Sequence, residues 1–138
     1  MTNFTLQQDE KEKLFQLALI ARETSYSPYS KFRVGAALLS EDGTFFKGCN
    51  VENASFGAAI CAERTAYVKA VSEGHQKFKA LAVSTDQVEF VSPCGICRQF
   101  IAEFSSPNMP VFFLNNKGEH KEYTFGQLLP FAFTSDDM

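Results

Sequence analysis

Three of the four cysteines stand where helices are predicted to begin, and this placement constrains the fold more than any other feature of the sequence. Cys61 begins the segment CAERTAYVKAVSEG, whereas Cys94 and Cys97 lie at the start of PCGICRQFIAEF. Two cysteines three residues apart in the first turn of a helix share one face and can reach the same metal ion. If both helix starts point to one place, the positive ends of their dipoles favour the thiolate form that binds metals.

The Cys94–Cys97 pair alone leaves alternatives open, because a Cys-x-x-Cys pair is also typical of a redox dithiol or of half a structural zinc site. Glu63 favours a catalytic site, since it shares a helical turn with Cys61 and a structural site has no use for it. Three protein ligands leave the fourth tetrahedral position for water, as in catalytic zinc sites. We therefore predict one zinc ion per chain, held by Cys61, Cys94 and Cys97, with Glu63 as the group that moves protons.

Length and composition indicate one ordinary globular domain. The chain has 138 residues, of which 45% are hydrophobic and 21% charged, so we expect residues 1–138 to form a single domain. A net charge of -3 and a pI near 5.4 argue against a nucleic-acid surface. The start, MTNFTLQQDEKEK, has no basic leader, and no run approaches the roughly 18 apolar residues of a membrane helix. We expect a cytoplasmic protein without membrane partners, whose thiols bind metal rather than form disulfides.

Apolar periodicity and turn signals predict alternating helices and strands. Thr5 and Gln8 resemble a capping box, with Phe4 placed for a hydrophobic staple, and the first helix is predicted to end near residue 23. There follow a loop at 26–30, a hairpin of FRVGAALLS and TFFKGCN, a helix from 61, a strand at 81–85, a helix from 93, the strand MPVFFLNN, an edge strand KEYTF and a short helix at 127–129. This alternation predicts an α/β fold with three layers, α-β-α, and a mixed sheet of about five strands flanked by helices.

The longer strings around the cysteines carry a family resemblance. SPYSKFRVGAALL, GCNVENASF, ICAERTA and SPCGICRQ resemble free-nucleoside cytidine deaminases of the small homotetrameric, three-cysteine zinc type, in the cytidine and deoxycytidylate deaminase family. The match runs from about Tyr26 to the carboxyl terminus. Relatives that act on guanine, tRNA adenosine or deoxycytidylate usually have histidine where this chain has Cys61, so the resemblance favours cytidine.

The resemblance implies an activity and an assembly. Cytidine and 2′-deoxycytidine would be deaminated hydrolytically to uridine and 2′-deoxyuridine, with release of ammonia, in pyrimidine salvage. Glu63 would act as general acid and base, and the guanidinium of Arg64 would hydrogen-bond the ligand sulfurs, although an exposed helix arginine is the alternative interpretation. The family also implies a homotetramer with sites at subunit interfaces, and a nucleoside and water as the partners of each site.

Four further residues are implied to bind substrate. Asn50 and Glu52, in NVEN, lie two residues apart, so an extended backbone points both to one side, and similar enzymes use them for the ribose 3′-hydroxyl. A turn-stabilising asparagine and an exposed glutamate are the alternatives. Phe32 would pack against the pyrimidine, and Phe133 would be donated by a neighbouring subunit, although Phe131 could fill that role and core packing competes for both.

Two other functions remain open at this level. A deaminase of single-stranded nucleic acid would use similar zinc chemistry, but net acidity and a pair that binds a free 3′-hydroxyl argue against it. A non-catalytic zinc-stabilised module would leave Glu63 and Arg64 unexplained. The chain also departs from relatives at Phe56, which stands where they often have tyrosine, so contacts to the ribose or across an interface are expected to differ there.

Overall fold

The computed structural model describes residues 2–138, which form one five-stranded sheet with helices on both faces. The strands are β1 (Val34–Ser40), β2 (Phe45–Cys49), β3 (Phe78–Thr85), β4 (Pro110–Leu114) and β5 (His120–Thr124). The helices are α1 (Gln8–Ala21), α2 (Ala62–Ser72), α3 (Gly95–Phe104) and α4 (Phe125–Leu128). The strand order is β2-β1-β3-β4-β5, with β3 and β4 parallel and the other neighbours antiparallel. The predicted mixed sheet of a three-layer α-β-α fold is confirmed.

Each face of the sheet buries its own hydrophobic cluster. On one face, Leu14 and Ala18 of α1 pack against a cluster that includes Ala37 and Phe112. On the other face, α2 and α3 cover a larger cluster that includes Tyr67, which is fully buried. Because side chains alternate between the two faces of a strand and both faces are covered, the central strands are buried along almost their whole length.

Two glycines allow the helices to lie directly on the strands. A Cβ atom on Gly35 would lie 2.3 Å from the carbonyl oxygen of Ala18 in α1. A Cβ atom on Gly48 would lie 2.4 Å from the backbone nitrogen of Ala66 in α2. Both separations are far shorter than van der Waals contact, so only glycine lets the helix backbone approach the sheet so closely. The position of α2, and of its first turn, therefore depends on Gly48.

The topology brings the starts of α2 and α3 to one edge of the sheet. Because β2 and β3 both run antiparallel to β1, they are parallel to each other, and β4 is parallel to β3. Helix α2 connects β2 to β3, and α3 connects β3 to β4. Such connections begin each helix near the carboxyl ends of the strands, the usual place for ligand sites in α/β sheets.

Two local predictions at the start of the first helix are corrected. Helix α1 is capped by Gln7, whose backbone N–H donates to Glu10 Oε1 at 2.9 Å, because the Thr5 N–H is instead bonded to Asn3 Oδ1 in a preceding turn. Phe4 packs on the cluster across the sheet and forms no staple with α1. The end predicted near residue 23 is confirmed to within one residue, because α1 ends at Ala21 and a 3₁₀ turn continues to residue 24.

The later elements agree with the sequence except at their ends. Strand β3 begins at residue 78 rather than 81. Helix α4 begins at residue 125 rather than 127, because Thr124 caps it and its N–H donates to Gln127 Oε1 at 2.9 Å. The hairpin, the helices after Cys61 and Pro93, and the edge position of β5 are confirmed.

Candidate active site

The three predicted metal-binding cysteines converge at the helix starts. Cys61 is the N-cap of α2, Cys94 is the N-cap of α3, and Cys97 lies in the first turn of α3. Their Sγ atoms all lie within 4.8 Å of one another, and the Cys61 and Cys94 sulfurs are 3.8 Å apart. Each sulfur therefore lies near the positive end of a helix dipole, which stabilises a thiolate.

The spacing and chemistry of the sulfurs fit a zinc ion. Zn–S bonds of about 2.3 Å in tetrahedral geometry place two sulfurs about 3.8 Å apart. The Cys61–Cys94 distance of 3.8 Å equals this separation. Zinc binds thiolates well, whereas calcium and magnesium bind oxygen ligands instead.

The thiols of the cluster differ in their pKa values. The Cys97 thiol donates a hydrogen bond to the Cys61 sulfur, and this bond with that of Arg64 lowers the pKa of Cys61 to about 5. The neighbouring Cys61 sulfur, together with burial, raises the pKa of Cys97 well above its ordinary value. A thiolate at one cysteine thus disfavours ionisation of the next, so three thiolates this close together require a compensating cation.

Arg64 lies beside the sulfur cluster. Its Nη2 atom is 3.7 Å from Cys61 Sγ and 3.4 Å from the carbonyl oxygen of Ala59. Its Nε atom is buried and has no hydrogen-bond partner among the described residues. A guanidinium group whose Nη2 lies this close to a thiolate offsets negative charge there.

Glu63 is the buried acid of the site. It lies in the first turn of α2, and only 4% of its surface is exposed. Burial, with the nearby Cys61 charge, raises the pKa of Glu63 to about 7. A carboxyl group with a pKa near neutrality can both accept and release a proton under physiological conditions.

A cavity of about 240 Å³ opens onto these groups. It is mostly apolar, with a few polar groups that converge on it, as is typical of small-molecule sites. It is lined by Phe32, Val34, Asn50, Cys61, Ala62, Glu63, Val83, Thr85, Val91, Ser92 and Cys94. The structure therefore brings two of the four predicted substrate residues, Phe32 and Asn50, to the same cavity as Glu63.

Asn50 organises the wall of this cavity. Its Nδ2 donates to the carbonyl oxygen of Phe32 at 2.8 Å, and its Oδ1 accepts from the Val34 N–H at 2.9 Å and from the Ser25 hydroxyl. The side-chain oxygen of Asn50 thus accepts two hydrogen bonds. Of the two N–H groups on its Nδ2, one donates to Phe32 and the other bonds to none of Phe32, Val34 and Ser25. Asn50 both stabilises the loop, as the alternative interpretation held, and faces the cavity.

Glu52 lies at a neighbouring hollow. Its carboxylate accepts from the backbone N–H groups of Tyr29 and Ser30 at 3.0 and 3.1 Å, and from the Ser30 hydroxyl. These bonds lower the pKa of Glu52, so the carboxylate stays ionised. The hollow, about 340 Å³, is also lined by Phe56. Glu52 is thus held outside the cavity that contains Glu63.

The two carboxyl-terminal phenylalanines do not line the cavity within the chain. Phe133 is 61% exposed, and its carbonyl oxygen accepts from Gln99 Nε2 at 2.9 Å on the outer side of α3. Phe131 is fully exposed and has a φ of 56°, a left-handed conformation that is unusual for an aromatic residue. Both rings therefore lie on the surface of the chain, outside the cavity that contains Glu63.

Three residues of the site escaped the sequence analysis. Thr85, the last residue of β3, and Ser92, in the loop between β3 and α3, line the cavity. Arg98 braces this loop, because it donates to the Ser92 hydroxyl at 2.7 Å and to the carbonyl oxygen of Pro93 at 2.8 Å. A polar residue that ends an apolar strand, as Thr85 does in LAVST, was the available signal for the cavity wall.

Comparison with known proteins gives the family. Residues 8–113 match the family model described as the cytidine and deoxycytidylate deaminase zinc-binding region. The chain belongs to this deaminase family. A cytidine deaminase from Sporosarcina psychrophila is 56% identical over 92% of this chain and 93% of its own length. One from Halalkalibacterium halodurans is 48% identical over 94% of this chain and 98% of its own length.

A solved structure supports the same assignment. The crystal structure of cytidine deaminase from Burkholderia pseudomallei superposes with a TM-score of 0.86 and 43% identity, and the match covers 93% of this chain and all of the other. The predictions of a cytidine deaminase family member, of an enzyme and of this fold are confirmed. The family model also supports a zinc-binding region that includes the three clustered cysteines. Among residues 2–138, no helix has the length and apolar character needed to cross a membrane.

Proposed function

We propose that this chain deaminates cytidine and 2′-deoxycytidine hydrolytically to uridine and 2′-deoxyuridine, with release of ammonia, as a step of pyrimidine salvage. The observation that carries the proposal is a buried carboxyl group, Glu63, beside a three-thiol cluster at the end of a small cavity. Family membership supports cytidine as the substrate class.

Cys61, Cys94 and Cys97 would hold one zinc ion per chain. When bound, the ion supplies the acidity that makes a water molecule an effective nucleophile at neutral pH. A zinc ion with two positive charges and three thiolate ligands would have a formal charge of -1. The guanidinium of Arg64, 3.7 Å from the Cys61 sulfur, offsets this charge and so preserves that acidity.

Glu63 moves the protons of the reaction. It accepts one proton from the attacking water, whose oxygen bonds to carbon 4, and delivers that proton to the ring nitrogen N3. It then takes the second proton from the hydroxyl group now on carbon 4 and delivers it to the amino group, so that the C–N bond breaks, ammonia leaves and the carbonyl of uridine forms. Its burial and its pKa of about 7 support this role, because a carboxyl group with an ordinary pKa would release protons too readily. The apolar walls of the cavity exclude competing water.

Phe32 and Asn50 would orient the nucleoside. Phe32 lines the same cavity as Glu63. Its ring would offer an aromatic face to the base. Asn50 has one N–H that makes no hydrogen bond within residues 2–138 and can donate to the 3′-hydroxyl of the sugar. Glu52 would accept the hydrogen of that hydroxyl where the sugar extends from the cavity to the neighbouring hollow. A phosphodiester at the 3′ position has no hydrogen to give and would face the charge of Glu52, so a polynucleotide is disfavoured. Neither contact requires a 2′-hydroxyl, which supports both sugars.

The remaining proposals concern the whole chain. Residues 1–138 would form a single cytidine deaminase domain that works in the cytoplasm as a homotetramer. A neighbouring subunit would then bring Phe133, or Phe131, to the base. The exposure of both rings supports this arrangement, because large aromatic side chains on a surface are typical of interfaces.

Ammonia release from four substrates tests the proposed function. Cytidine and 2′-deoxycytidine should react, whereas free cytosine and a single-stranded oligonucleotide that contains cytosine should react at least about 100-fold more slowly, because they leave the polar sugar site unpaired or repelled. Activity on the oligonucleotide alone would overturn the proposal in favour of a nucleic-acid deaminase. No activity on any of the four, with zinc bound, would favour a non-catalytic zinc module.

A further inference from the structure

A cluster of two acids and two arginines lies behind the cavity, where β1 begins and β3 ends, and in it Arg33 pairs with Asp86 and also lies 3.7 Å from Glu23. Val34 and Thr85 are register partners in the sheet, and both line the cavity. Side chains alternate along a strand, so the adjacent residues Arg33 and Asp86 point to the opposite face. There they meet Arg22, which follows α1.

The contacts within this cluster are directional. Arg33 Nε and Nη2 donate to the two carboxylate oxygens of Asp86 at 2.9 and 3.0 Å, and the Arg33 backbone N–H donates to Oδ2 at 3.2 Å. Arg22 Nη1 donates to the carbonyl oxygen of Thr85 at 2.6 Å and lies 3.6 Å from Asp86 Oδ1. A bidentate pair of this kind fixes orientation as well as distance.

The chain connectivity links this cluster to the cavity wall. Phe32 directly precedes Arg33, and Thr85 directly precedes Asp86. Phe32 itself lies outside β1, and its backbone is otherwise held by Ser30 and Asn50. Asp86 therefore ties the segment that carries Phe32 to the end of β3, where Thr85 also lines the cavity.

We propose that Asp86 and Arg33 are positioning residues that hold Phe32 at the distance from Thr85 at which its ring packs against the base. The proposal rests on the proposed function, since it assumes a pyrimidine in the cavity. The contribution of the pair to folding is small, because the Arg33 side chain is 41% exposed and exposed pairs stabilise little. Its effect is therefore expected in substrate binding, and the lowered pKa of Asp86 beside Arg33 keeps the pair charged at neutral pH.

Steady-state kinetics on cytidine test this role. D86N and R33Q should each raise KM about threefold to tenfold, the range of one lost aromatic contact, while kcat stays close to that of the unaltered protein. The double variant should raise KM no further than either single variant, because both remove the same contact. An unchanged KM in D86N, or additive effects in the double variant, would overturn the proposal.

A second ion pair provides the matched control. Lys79 Nζ lies 3.1 Å from Glu10 Oε1 and joins β3 to α1, with exposures similar to that of Asp86, but neither residue lines the cavity. E10Q removes the charge of Glu10 and so the ion pair, but its side-chain oxygen can still accept the Gln7 N–H at the start of α1. It should leave KM unchanged, and a rise equal to that of D86N would assign the effect to general loosening and overturn the proposal.

Amide hydrogen exchange separates the positioning role from the proposed function. If the unaltered protein does not deaminate cytidine, the proposed function fails, and exchange over residues 32–35 decides the positioning role on its own. Faster exchange there in D86N, but not in E10Q, would support it. Equal exchange in the unaltered protein and D86N would overturn it.

Discussion

At the scale of single residues, the site changes the chemistry of ordinary side chains by where it puts them. Burial raises the pKa of Glu63 to about 7, whereas hydrogen bonds from Cys97 and Arg64 lower the pKa of Cys61 to about 5. The two groups lie within one turn of α2. The same helix start thus holds a thiol that ionises readily and a carboxyl group that can exchange a proton near neutral pH.

The role of Glu63 is tested by removing its ability to ionise. E63Q keeps the shape of the side chain and should lower kcat for cytidine by a factor of about 100 to 10,000, the usual contribution of general acid–base catalysis. Zinc content should stay unchanged, because Glu63 is not one of the clustered ligands. Turnover by E63Q at the rate of the unaltered protein would refute the mechanism. E73Q, at the exposed end of the same helix, is the matched control and should turn over normally.

Residue-level prediction from the sequence succeeded where the chemistry is local. The spacing of Cys94 and Cys97, and of Cys61 and Glu63, is visible in two short strings. The bonds of Asn50 to a loop sixteen or more residues away are not visible, since they depend on how β1 and β2 pair. For the same reason, no pattern indicated the Asp86 cluster.

At the scale of elements, the closeness of α2 to β2 fixes the position of the site. A Cβ atom on Gly48 would lie 2.4 Å from the Ala66 nitrogen and 2.6 Å from the Ala62 carbonyl oxygen. Both atoms belong to the helix backbone, which cannot rotate away as a side chain would. A larger residue must therefore push α2, with Cys61 and Glu63, away from the sheet.

G48A should destabilise the protein and displace the site. We expect the free energy of unfolding to fall by about 1–3 kcal/mol or more, as for other overpacked interiors. Thermal denaturation measures the loss, and zinc content and kcat for cytidine should fall with it. G57A is the control, because no atom lies within 4 Å of the position of its Cβ and the residue is exposed. Equal melting temperatures for the two variants would contradict the packing argument.

The ion pair between the ends of β1 and β3 predicts a pH dependence of stability. Arg33 lowers the pKa of Asp86 in the folded state, so the pair stabilises the fold above the unfolded pKa of about 3.9 and is lost as pH falls through the lower folded value. The difference in melting temperature between the unaltered protein and D86N should be constant from about pH 7 to pH 5 and shrink below about pH 4. A difference that persists undiminished at low pH would contradict this. The comparison cancels any metal loss common to both proteins.

Element types followed from the sequence, but element ends did not. Apolar runs and turn residues predicted all five strands and the layer architecture. The start of a helix depends on which side chain accepts a hydrogen bond from a free backbone N–H. At α1, Gln7 is the capping residue and bonds to Glu10, whereas Thr5 bonds to Asn3. Several nearby residues can cap a helix, so the sequence alone could not choose between them.

At the scale of the whole molecule, the surface leaves aromatic residues exposed near the carboxyl terminus. Phe131 is fully exposed and Phe133 is 61% exposed. Light scattering at working concentration should give the mass of a tetramer of this 15.4 kDa chain. Whichever of F131A and F133A removes the ring that reaches a neighbouring site should raise KM for cytidine, and the other should not. A monomer with full activity would contradict the shared site.

The loss of the near-ultraviolet absorbance of cytosine, followed with and without a zinc chelator, tests the central claim most directly. The claim is that Cys61, Cys94 and Cys97 hold the zinc ion on which cytidine deamination depends. The absorbance of cytidine should fall steadily with the protein as purified, stop falling after the chelator strips the metal, and fall again when about one zinc per chain is restored. Undiminished turnover by protein shown to be free of metal would contradict the account.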